Sequence, residues 1–117
     1  MIQTLSLVAL GGAIGSALRY LTVLAVTAPL GTLVVNVAGS FLMGLLWVLL
    51  ASRTPLSPLL MTGILGGFTT FSAFSLDTLK LWQNGQVLSG FGYVAASVTL
   101  SFAAVALGVT LARGIAA

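Results

Sequence analysis

The feature that most constrains this chain is the spacing of its charges. Arg19, Arg53, Asp77, Lys80 and Arg113 are its only charged residues in 117, and long uncharged stretches separate most of them. Each stretch is long enough to cross a bilayer, which takes roughly 20 residues. Hydrophobic residues make up 59% and charged residues 4%, against about a quarter charged in an ordinary soluble domain. A water-soluble fold is excluded, and an all-α, multi-pass membrane protein is the expectation.

The same composition removes several functional classes. A net charge of +3 from scattered basic residues does not make the clustered patch that nucleic acid requires, so no nucleic acid partner is expected. With no cysteine and no histidine, thiol chemistry, soft metal sites and imidazole acid–base catalysis are unavailable, so the chain is not expected to be an enzyme. Val26-Thr27-Ala28 loosely resembles a signal-peptide cleavage site. No Lys or Arg precedes the apolar run and three further spans follow, so the first segment is expected to be a retained helix.

Four apolar segments are expected within a single domain over residues 1–117: about 5–26, 32–50, 58–82 and 88–111. Runs such as Leu42 to Ala51 do not alternate, which argues for helices over barrel strands. The connections are short and carry Pro, Gly, Asn or Ser, so neighbouring helices are antiparallel. Ser57-Pro58 suits a helix start. Gly66-Gly67-Phe68-Thr69-Thr70 in mid-span is a poor helix interior and predicts that the third helix is broken near 66–70. In lipid such a break survives only where protein or a polar cavity covers its backbone.

With four spans, Arg53 and Arg113 fall on one side, while Lys80 and Arg19 lie toward the other. So even a split gives little reason to choose one orientation and predicts insertion both ways; if Arg19 is buried and does not count, a weak preference remains. A monomer of this size has little interior for a polar path, so self-association is expected. Gly11 with Gly15 and Ser40 with Gly44 permit close helix contact, within one subunit or between two.

Thr32, Asn36 and Ser40 recur every four residues and drift only about 40° per step, giving the second helix one polar stripe. Tyr93, Ser97 and Ser101 repeat the pattern on the fourth. Membrane serines and threonines commonly bond back to their own helix, and Asn36 fits either an interhelical bond or a pore role. The stripes offer hydroxyl and amide donors and face no carboxylate, which favours an anion over a cation. Arg19 is an intramembrane ionisable group: a functional candidate, or a side chain that snorkels to the interface. Asp77 is expected to pair with Lys80 three residues on. Phe71 and Phe74 share a helix face, and ring edges carry partial positive charge that can point at an anion.

The run Gly66 to Ser75, GGFTTFSAFS, resembles the signature of the Fluc, or CrcB, family of fluoride channels. In the right order it is joined by Gly11-Gly12-Ala13-Ile14-Gly15 with Arg19-Tyr20, by Gly31 to Asn36 with Gly39-Ser40, and by Tyr93 with Ser97 and Ser101. The resemblance implies an antiparallel, dual-topology homodimer in the bacterial inner membrane, with two pores through which fluoride leaves passively down its gradient, giving fluoride resistance. It implies that Phe71 and Phe74 face the ion, that Asn36 stands at a pore mouth, and that Ser72, Tyr93, Ser97 and Ser101 form a polar track. It further implies a structural sodium ion at the dimer centre, held by the backbone carbonyls of Gly66 and Thr69. Ala73 stands where relatives often carry a hydroxyl. The alternative from another class is a proton-coupled small multidrug-type exporter, disfavoured because no membrane carboxylate is evident; an accessory subunit with purely structural stripes is a third.

Overall fold

The computed structural model describes residues 1–50 and 54–116. Arg53, used above to weigh orientation, lies outside the described residues. Four stretches among them are long and apolar enough to cross a membrane: Ile2–Ala25, Leu30–Leu49, Pro58–Gln83 and Val87–Ala116. The first two are uninterrupted helices, α1 (Ile2–Ala25) and α2 (Leu30–Leu49). The third span is a π-helix over Pro58–Leu65 that runs into one α-helical turn, α3 (Gly66–Phe68), and resumes as α4 (Phe71–Gln83). The last is α5 (Val87–Ala116). At 30 residues, α5 reaches roughly 45 Å, and it extends past its expected end because Ala112 and Arg113 continue the helical hydrogen bonds without penalty.

The interruption of the third span falls at Thr69 and Thr70, two residues after the glycines. Gly66 keeps helical angles (φ −63°, ψ −37°), whereas Thr69 (φ −86°, ψ 155°) and Thr70 (φ −152°, ψ 120°) are extended. Two β-branched residues in succession favour that conformation. The π-helical half before the break has no counterpart in the sequence expectation. Ser57 stands at its start with Pro58 in the first turn, but the Ser57 hydroxyl is buried and caps nothing.

The break transfers the third span from one neighbour to another. Before it, the π-helix and α3 pack along α1; after it, α4 packs on α5. The most extensive helix pair is α2 with α5. Both main pairings depend on main chains in contact. A Cβ at Gly15 would strike the Ile64 carbonyl, and one at Gly11 the Leu59 carbonyl. On the other side, a Cβ at Gly44 would strike the Val105 carbonyl and one at Gly108 the Phe41 carbonyl, so α2 and α5 approach reciprocally. The small residues at 11, 15 and 44 are therefore used within the protomer. Between α4 and α5, Gly85 takes a left-handed conformation (φ 81°) that a side chain would resist.

Gly15→Ala is expected to lower the thermal midpoint of purified protein in detergent, by an overpacking cost of about 1–3 kcal/mol. Gly114→Ala, where an added Cβ meets nothing within 4 Å, is expected to leave it unchanged or slightly raised.

Candidate functional site

Breaking a helix leaves backbone groups without partners, and in a membrane each must find one. Asn36 of α2 supplies them at Thr70. Its Oδ1 accepts from the Thr70 N–H at 2.7 Å, and its Nδ2 donates to the Thr70 carbonyl at 2.9 Å. The Thr70 hydroxyl in turn caps α4, accepting from the Ala73 N–H at 3.1 Å. On the other flank, Arg19 Nε donates to the Gly67 carbonyl at 3.1 Å. Arg19 is thus half-buried and engaged inside the protomer, which leaves Lys80 to be counted against Arg113 and the undescribed Arg53 when orientation is weighed.

Two of the carbonyls that the break frees follow from these diversions. Gly66 loses its helical partner because the Thr70 N–H goes to Asn36, and Thr69 loses its own because the Ala73 N–H goes to Thr70. Released carbonyls of a broken membrane helix are the donor chemistry that suits a hard cation.

A groove of about 520 Å³ runs along α2, the break and α5. Asn36 and Ser40 line it from α2, Thr69, Thr70, Phe71 and Phe74 from the break, and Ser97 and Ser101 from α5. The two polar stripes and the broken span therefore meet. Phe74 is 9% exposed and Phe71 78%, with ring centroids 5.6 Å apart and planes tilted by 55°. Phe74 also leans on Tyr93 at 5.3 Å. Met43, Val98, Phe102 and Val105 make the remaining wall largely hydrocarbon.

Ser97 is the most informative of the hydroxyls. Back-bonding within a helix occupies Ser6, Thr22, Thr69, Ser75, Thr78 and Thr110. Ser97 Oγ, by contrast, is buried with no partner on the groove wall, although the residue is only 5% exposed. A buried hydroxyl without a protein acceptor costs about 1–3 kcal/mol, and on the groove wall this one is a donor available to a guest.

Arg19, Ser72 and Tyr93, also marked in the sequence, stand apart from this groove. Arg19 lies against Gly67, as described. Ser72 is exposed, with its Oγ 3.3 Å from Thr70 Oγ1. Tyr93 is buried behind Phe74 and sends its hydroxyl away, to Asp77.

Asp77 requires a correction. Instead of pairing with Lys80, it is buried (9% exposed), and its Oδ2 accepts from Thr32 Oγ1 at 2.7 Å and Tyr93 OH at 3.3 Å. A carboxylate does face the ends of both stripes. The pairing expected from three-residue spacing fails because α4 turns that face onto α2 and α5, where two hydroxyl donors outcompete a solvated ammonium. The clue was present in the sequence: Asp77 lies three residues from Phe74, on the same helix face, in a chain with no other acidic residue.

Residues 6–109 match the family described as CrcB-like protein, Camphor Resistance (CrcB). The chain belongs to the CrcB family. Its CrcB relatives include a fluoride-specific ion channel FluC of Paracoccus denitrificans, 55% identical over 98% of each chain. One of the same name from Rhizobium etli is 51% identical over 99% of this chain and all of its own. Another from Cereibacter sphaeroides is 50% identical over 97% of this chain and 98% of its own. The CrcB match spans all four helices, so the groove and the break both lie within it.

Asn36→Leu keeps the branched outline but strands the Thr70 N–H and carbonyl, and is expected to cost about 1–3 kcal/mol for each group. The check is the thermal midpoint in detergent, which is expected to fall well below that of Ser40→Ala.

Proposed function

We propose that two copies of this chain, inserted head to tail in the bacterial inner membrane, form a channel through which fluoride passes passively along the groove. The observation that carries this reading is the unpartnered Ser97 hydroxyl, buried beside Phe71 and Phe74 in a chain 55% identical to a named fluoride-specific channel. Fluoride holds its water tightly, so a path must offer close replacement donors. Ser40, Ser97 and Ser101 bring hydroxyls, and Asn36 Nδ2 carries a second N–H beyond the one given to Thr70. The edges of Phe71 and Phe74 add partial positive charge, and no carboxylate lines the groove.

A second copy follows from what one protomer leaves open. Phe71 is 78% and Phe102 71% exposed at the groove, so a closed path needs another surface over them. Ser72, outside the groove of its own protomer, joins a polar track only from such an interface. Weak charge asymmetry allows the two copies opposite orientations. The released carbonyls of Gly66 and Thr69 would then come as two symmetric sets that hold a sodium ion. When bound, that ion supplies positive charge that fastens the two breaks together.

Asp77 is a carboxylate facing the stripes, but it is engaged by Thr32 and Tyr93, and the family match and channel-named relatives do not favour a proton-coupled exporter. Liposomes loaded with fluoride or chloride and read with ion-selective electrodes decide between the two. The channel gives fast fluoride release without a proton gradient and little chloride release. Release that depends on a proton gradient supports the exporter, and no release supports a structural subunit.

Ser97→Ala removes one donor worth about 1–1.5 kcal/mol, so fluoride flux is expected to fall about tenfold. Phe71→Ile and Phe74→Ile are expected to lower flux while the dimer still assembles, as checked by size-exclusion chromatography beside the electrode traces.

A further inference from the structure

A second cleft, of about 330 Å³, opens at the far end of α4 from the break, lined by Ala28, Pro29, Asp77, Lys80, Leu81 and Asn84. It is separated from the groove by one layer of side chains. Phe74 lines the groove, Asp77 lines the cleft, and Tyr93 touches both, with its ring on Phe74 and its hydroxyl on Asp77. Along α4, Phe74, Asp77 and Lys80 follow at three-residue steps of roughly 4.5 Å, so Asp77 lies midway between groove and rim.

The rim is unfavourable to an anion except at one residue. Asp77 contributes a carboxylate to the inner wall, and the last carbonyls of α4, which ends at Gln83, add partial negative charge. Lys80 is the one cationic residue lining the cleft; it is exposed in the last turn of α4 and makes no ion pair among the described residues.

We infer that this cleft is a mouth of the anion path and that Lys80 gathers anions there, offsetting a rim that would otherwise repel them. The inference rests on the reading of the chain as an anion channel. At a separation of roughly 8 Å in water, a unit charge raises local anion concentration on the order of 2-fold to 3-fold at low ionic strength. The effect is one of supply: it speeds entry at low fluoride and vanishes once the path is saturated.

The test compares wild type, Lys80→Gln and Lys80→Arg in liposomes. At about 10 mM ionic strength, where the Debye length is roughly 30 Å, initial fluoride efflux of Lys80→Gln is expected to be about 2-fold to 3-fold below wild type. Lys80→Arg is expected to keep the wild-type rate. In about 1 M of an impermeant salt, where screening shrinks to roughly 3 Å, the deficit is expected to disappear. Equal rates for Lys80→Gln and wild type at low salt overturn the inference while the channel reading stands. So does a deficit that persists unchanged at high salt, which assigns Lys80 a structural role. A wild-type protein that passes no fluoride removes the channel reading and this inference together.

Discussion

The structure depends on one side chain making good the loss of a helical turn. A membrane-spanning helix can be interrupted only if the exposed peptide groups are bonded elsewhere. The Asn36 carboxamide does this with both of its ends on a single residue, Thr70. Because the clamp takes the Thr70 N–H, it leaves the Gly66 carbonyl without its helical partner. Because Thr70 then caps α4, the Thr69 carbonyl is released as well. The freed carbonyls at the break are therefore a by-product of how the break is stabilised.

That interruption also redirects the chain. The half before it follows α1 through backbone-to-backbone glycine contacts, and the half after it follows α5. An unbroken helix would keep one neighbour throughout and bring Phe71 and Phe74 to a different wall. Breaking it delivers those rings to the space between α2 and α5, where Ser97 waits without an acceptor. Fold and site are thus two consequences of the same pair of threonines.

Much of this was legible in the sequence. Four uncharged runs dictated four spans, since hydrocarbon excludes charge strongly enough to make length decisive. Four-residue spacing placed Asn36 with Ser40 and Ser97 with Ser101, and the structure brings both pairs to one groove. What remained hidden was direction. Periodicity reports which residues share a helix face and is silent on what that face meets, so Asp77 was matched with Lys80 along the helix and its true partners across it, Thr32 and Tyr93, were missed. The π-helical first half, which packs on α1, escaped as well, since no side-chain pattern announces extra residues per turn.

The reciprocal contact of α2 and α5 has a mechanical meaning. At Gly44 and Gly108 the two main chains touch with no side chain between them, so their separation is set by backbone van der Waals contact and cannot be altered by rotating a side chain. The groove flanking that contact inherits its stiffness. A wall built this way behaves as a calliper arm locked at one setting: its shape is given by the backbone and does not shift with the rotamers of its side chains.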